Sequence, residues 1–112
     1  MTTTGDFDVR VTIAPSGTTI VHVSGELDPA SAPMLEEAIA ALEVPPRLVV
    51  DLTECSFLDS SGMRVLVDVR QSAPDTTIEL VAADPAIVRA LQIARLDTMF
   101  GLHSSLDDAL DG

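Results

Sequence analysis

The chain has 112 residues, 46% of them hydrophobic, and its 18 acidic side chains against 6 basic ones give a formal net charge of −12. That length sets the expectation of one domain over residues 1–112, able to bury roughly two thirds of its unfolded surface. The charge argues against nucleic acid and anionic lipid as partners, since both would be repelled, and a single cysteine, Cys55, cannot close an internal disulfide. With neither a signal-like leader nor an apolar run of membrane-spanning length, the expectation is a cytoplasmic protein with no membrane partner.

Residues 7–13, FDVRVTI, alternate apolar and polar side chains, PSG at 15–17 makes a turn, and TIVHV at 19–23 alternates again before Gly25. This predicts a hairpin of two half-buried strands. Asp28 and Pro29 then read as the cap and first position of a helix carrying Leu35, Ala38, Ile39 and Leu42, with Pro33 leaving its start open by a turn. Pro45 and Pro46 stop that helix, and the apolar run Leu48, Val49, Val50 predicts a strand covered on both faces. A helix over 61–73, a strand over 77–82 and a helix opened by Asp84 and Pro85 follow. A short strand over 99–102 and a last helix capped by Ser105, with Asp108 in the capping-box position, close the chain. The hairpin requires antiparallel pairing, whereas helix crossovers favour parallel pairing. The predicted fold is therefore α/β, a four- to five-stranded mixed sheet with about four helices mainly on one face.

The segment LDSSGMRVLVD, 58–68, holds the residues with chemical interest. On a helical projection Gly62, Val65, Leu66, Val69 and Ala73 face the sheet, and Arg64, Asp68 and Gln71 face away. Met63 and Val67 form an apolar i, i+4 pair beside the core stripe, which either another element covers or a partner meets. Asp59, Ser60 and Ser61 are each competent helix caps, yet one helix needs one cap. The spare hydroxyl stands at a loop-helix junction beside backbone N–H groups, where an added phosphate is electrostatically tolerated.

Three blocks, GELD at 25–28, VVDLT at 49–53 and FLDSSG at 57–62, together resemble the STAS domain of the anti-sigma factor antagonist (anti-anti-sigma) family across nearly the whole chain. The resemblance implies that Ser60 is the serine phosphorylated by an anti-sigma factor of the serine-kinase type. It implies a partner switch: the unmodified protein holds the anti-sigma factor and frees a sigma factor, and the phosphorylated one lets go until a serine phosphatase resets it. The expected partner-binding residues are Asp28, Asp59, Ser60, Ser61, Gly62, Met63, Arg64 and Val67. Asp51 is expected to order the loop leading to Ser60 through backbone hydrogen bonds, a plain solvated loop acid being the alternative. For Asp28 an ordinary cap is the alternative, and Ser61 is expected to serve capping and loop shape. Met63 and Arg64 depart from the leucine and the small residue that the family usually carries there. The runner-up is a STAS module of another assembly: stressosome-like, a lipid-transport accessory or a small-ligand sensor.

An enzyme is not expected. The Gly-x-Ser-x-Gly elbow of a hydrolase is absent, and no sequence signal joins His22 or His103 to Ser60, so both histidines read as surface residues. Neither a catalytic residue, a metal site nor a cofactor is predicted, and the chain is expected to be a monomer. Cys55 beside Phe57 reads as a small buried apolar group.

Overall fold

The computed structural model describes residues 7–43 and 45–111. Strand β1 (Asp8–Ile13) pairs antiparallel with β2 (Thr19–Leu27), and β2, β3 (Arg47–Leu58), β4 (Thr77–Val81) and β5 (Gly101–His103) run parallel in the spatial order β1-β2-β3-β4-β5. Between the parallel strands lie α1 (Ala32–Ala40), α2 (Ser60–Ser72) and α3 (Pro85–Ile93), with a 3-10 turn, Leu96–Thr98, before β5 and α4 (Leu106–Asp111) after it. A strand-helix-strand connection between parallel strands is right-handed, and here each crossover steps to the next strand in the same direction. All three crossover helices must therefore lie on one face of the sheet. The predicted mixed sheet, with helices mainly on one face, is the sheet observed.

The burial pattern divides the core accordingly. Leu35 of α1, Val65 and Leu66 of α2, and Ile87 and Leu91 of α3 pack on Val21, Val23, Leu48, Val50 and Leu80. The opposite face is thinner. There Ala14, Ile20, Val49 and Val81 lie beneath Leu106, Ala109 and Leu110 of α4. Arg47 ties that last helix down, donating to Glu79 at 2.7 Å and to the carbonyl of Ala109, while His103 meets the second oxygen of Glu79. Burial disfavours the charged form of Glu79, but the hydrogen bonds from Arg47 and His103 outweigh it and hold the carboxyl below its ordinary range. His103, expected as a surface histidine, is thus partly buried and held by Glu79.

Three boundaries differ from the sequence expectation. Helix α1 begins at Ala32 behind Ser31, because Asp28 spends its carboxylate on a turn, accepting from the N–H groups of Ala30 and Ser31 at 3.0 Å. Strand β3 runs twelve residues instead of ending near Asp51, since its pairing with β2 continues to Leu27 and Leu58. The short strand expected over 99–102 is β5, which starts later, at Gly101, after a 3-10 turn that ends at Thr98. Gly25, at φ +92°, sits where the β2–β3 register shifts, a conformation that favours glycine.

Candidate functional site at the tip of α2

Because β2, β3 and β4 are parallel, their C-terminal ends meet along one edge, the usual place for sites in an open α/β sheet. Leu27 and Leu58 end two of them, and the N–H of Asp59 donates to the carbonyl of Leu27 at 3.3 Å, which joins the loop after β2 to the loop after β3. Asp28 and Asp59 therefore each follow one of two paired strand ends. The Asp28 turn is further closed by Ser31, whose hydroxyl donates to the carbonyl of Glu26 at 2.6 Å.

Asp59 is the N-cap of α2. Its extended backbone, φ −115° and ψ −171°, lets Oδ1 accept from the N–H of Ser61 at 2.9 Å and from the Ser61 hydroxyl. The hydroxyl bond, opposed by partial burial and aided by backbone donors, lowers the carboxyl below its usual range, so the cap stays ionised in mildly acidic solution. Ser61 is consequently not the cap that was expected; it fixes the residue that is. Ser60, the first residue of the helix, is exposed, and its hydroxyl has no hydrogen-bond partner among the described residues.

Gly62 explains how the tip comes so close to the strands. It is buried, and a Cβ built on it would stand 2.6 Å from Cγ of Leu27 and 2.8 Å from Cδ1 of Leu58. Only a hydrogen fits there. Ser60, Ser61, Arg64, Val67 and Asp68 line a shallow depression over the first two turns of α2, and Arg64 is exposed one turn beyond Ser60. Met63 and Val67 are half-buried and lean on the core, neither fully covered nor free.

Two large side chains near this edge were not among the expected contact residues. Phe57, three residues before Ser60, is 47% exposed, and Met34 in the first turn of α1 is 45% exposed. The burial rhythm of β3 breaks just there, with Cys55 and Leu58 buried and Ser56 and Phe57 outside. Cys55 is the small buried group expected; its thiol, pushed up by burial, donates to the carbonyl of Phe57 at 3.1 Å.

Asp51 does not reach this site. It projects from the middle of β3 on the opposite face, where Oδ1 accepts from the N–H and hydroxyl of Thr53 and Oδ2 lies 3.2 Å from Nδ1 of His22. The other imidazole nitrogen meets the Thr12 hydroxyl at 2.8 Å. The expected role of Asp51 in ordering the serine loop is thus corrected: the backbone group it accepts from is inside its own strand. His22, expected on the open surface, is held between two strands.

Among the described residues no group of three or more metal-ligating side chains comes together, and no helix is long and apolar enough to cross a membrane.

The fold and the capped, serine-bearing helix tip define a class of protein. The STAS domain model matches residues 10–109, and the chain belongs to that family. The anti-sigma-F factor antagonist RsfB of Mycobacterium tuberculosis is 33% identical over 108 residues, 93% of this chain and 88% of that protein. The crystal structure of an anti-sigma factor antagonist from Mycobacterium paratuberculosis superposes with a TM-score of 0.91 at 36% identity, covering 99% of this chain and 97% of that one. The anti-sigma factor antagonist SpoIIAA, solved in its unphosphorylated form, shares the fold at 17% identity, with a TM-score of 0.76 over 93% of this chain and 94% of that one.

Proposed function

We propose that this chain is an anti-sigma factor antagonist: it binds an anti-sigma factor with serine-kinase activity and is released when Ser60 is phosphorylated. The observation that carries this reading is a hydroxyl that the fold does not use. Asp59 caps α2 and Ser61 steadies Asp59, so the exposed Ser60 hydroxyl has no structural duty. Similarity over most of the chain to proteins named as anti-sigma factor antagonists supports the partner class. In this reading the protein is a ligand for an enzyme, not an enzyme, and a phosphatase returns Ser60 to its free state.

The contact surface comprises the Asp28 turn, Asp59 to Arg64 and Val67, with Phe57 and Met34 adding apolar area. Phosphorylation adds about −1.5 to −2 charges and a strongly hydrated group at the centre of that surface. A docked partner would have to strip that hydration and meet the charge of Asp59 beside it. Release follows without refolding, because Ser60 touches nothing the scaffold needs. Arg64, one turn along the same face, lies at the spacing that favours pairing with a phosphate on Ser60.

The test is incubation with the candidate anti-sigma kinase and ATP, followed by peptide mass spectrometry and binding measurements. Phosphate on Ser60, with Ser60→Asp losing affinity for the kinase while its Tm stays within a few degrees of wild type, is the expected result. Incorporation elsewhere, or undiminished binding of protein carrying phosphoserine at position 60, overturns the reading.

A further inference from the structure

A second feature of α2 lies on its other flank. Between α1 and α2 runs a groove of about 310 Å³ whose floor is apolar and buried, formed by Leu48, Val65 and Ile78. Val69 and Ile39 wall it as half-buried side chains. The volume sits at the small end of the range, about 300–1,000 Å³, typical of small-molecule sites. Its end is braced. Arg70 donates to the carbonyls of Ala73 at 2.7 Å and Thr76 at 2.6 Å, and the Thr76 hydroxyl donates to the carbonyl of Pro45 at 2.9 Å. These bonds brace the closing loop at one end of an apolar slot.

Glu36 of α1 and Asp68 of α2 stand at the mouth, both exposed, and neither forms an ion pair within the described residues. An apolar slot under two unpaired carboxylates selects a molecule with a hydrocarbon body and a positive head. The body leaves water for the floor of Leu48, Val65 and Ile78, while the head remains at the rim, half-solvated, opposite the two acids. A carboxylate-headed chain of equal length would fill the slot as well but would face repulsion at the rim. We infer that this groove is a binding site for a small amphipathic cation, an alkyl- or arylalkylammonium compound. The inference is independent of the proposed partner switch, although Asp68 borders both the groove and the depression beside Ser60.

Methyl-detected NMR titration of the full chain with n-hexylammonium and n-octylammonium chloride, with octanoate as the control, tests it. Saturable shifts confined to Ile39, Leu48, Val65, Val69, Ile78 and the other methyls lining the groove are expected, strengthening about three- to fourfold per added methylene. Octanoate should bind roughly tenfold more weakly or worse. The double variant Glu36→Gln/Asp68→Asn should lose roughly tenfold in ammonium affinity, whereas Asp107→Asn/Asp108→Asn, remote on α4, should lose none. Because none of the four substituted side chains is buried, the methyl spectrum itself reports that the fold is kept. The inference is overturned by octanoate binding as tightly as octylammonium, by equal loss in the α4 variant, or by shifts scattered over the acidic surface. It is also overturned if the same methyls shift with protein concentration alone, which would assign the groove to a second copy of the chain.

Discussion

Helices α2 and α3 begin in the same way and serve different ends. Each follows a parallel strand, each is capped by an aspartate, Asp59 or Asp84, and each cap accepts from the N–H two residues on, Ser61 at 2.9 Å or Ala86 at 2.8 Å. The first helical residue is where they part: Pro85 opens α3 as proline commonly does, and Ser60 opens α2. A proline there shows that the cap works without any side-chain hydroxyl at that position. The third residue after the cap differs too, Ile87 burying a large side chain in α3 while Gly62 in α2 brings the backbone against Leu27 and Leu58. One tip is built for the core. The other is pulled down onto the strand ends with a free hydroxyl left outside.

The sharpest way to break this comparison is to exchange the first residues. Ser60→Ala should abolish kinase-dependent phosphate incorporation altogether, and Pro85→Ser, which creates a second capped hydroxyl tip, should gain none, because α3 lacks the flanking surface of Phe57, Met63 and Arg64; intact-mass spectrometry reads both. Phosphate at position 85 of the Pro85→Ser variant would show that a capped serine alone suffices. A smaller but still large effect is expected from Gly62→Val, where overpacking against Leu27 and Leu58 should cost about 1–3 kcal/mol in urea unfolding. Unchanged stability would mean that α2 is not held against the strand ends.

Equal caps should give equal, modest losses. Asp59→Ala and Asp84→Ala are each expected to destabilise the protein by about 1 kcal/mol, measured by the same unfolding curves. The smallest effect is a pH dependence particular to Asp59. Its folded pKa is lowered, so its contribution is complete above the ordinary carboxylate value and is lost as the pH falls through the folded one. Asp59→Asn should flatten that acid limb of the stability profile, and a limb of undiminished steepness would show that other carboxylates supply it.

Much of the site was legible because it is local. A cap, a spare hydroxyl and the start of an amphipathic stripe are all written within a few residues of Ser60, and local geometry follows from such spacing. Asp51 was misread for the opposite reason. Its position in the chain suggests the end of a strand, but β3 continues to Leu58 because β2 offers a partner as far as Leu27. Its side chain therefore meets His22 across the sheet instead of the serine loop. Phe57 was missed because alternation cannot foresee a register shift, and the β2–β3 pairing contains two.

The sequence alone determined the order of elements, the mixed sheet and the serine at a helix tip, since hydrophobic period, turn residues and caps act over a few residues. Tertiary structure alone decided how far β3 runs, which partners each histidine meets and how closely α2 meets the strand ends. Those depend on pairing and packing between segments tens of residues apart, and no local pattern encodes the distance at which two such segments come to rest.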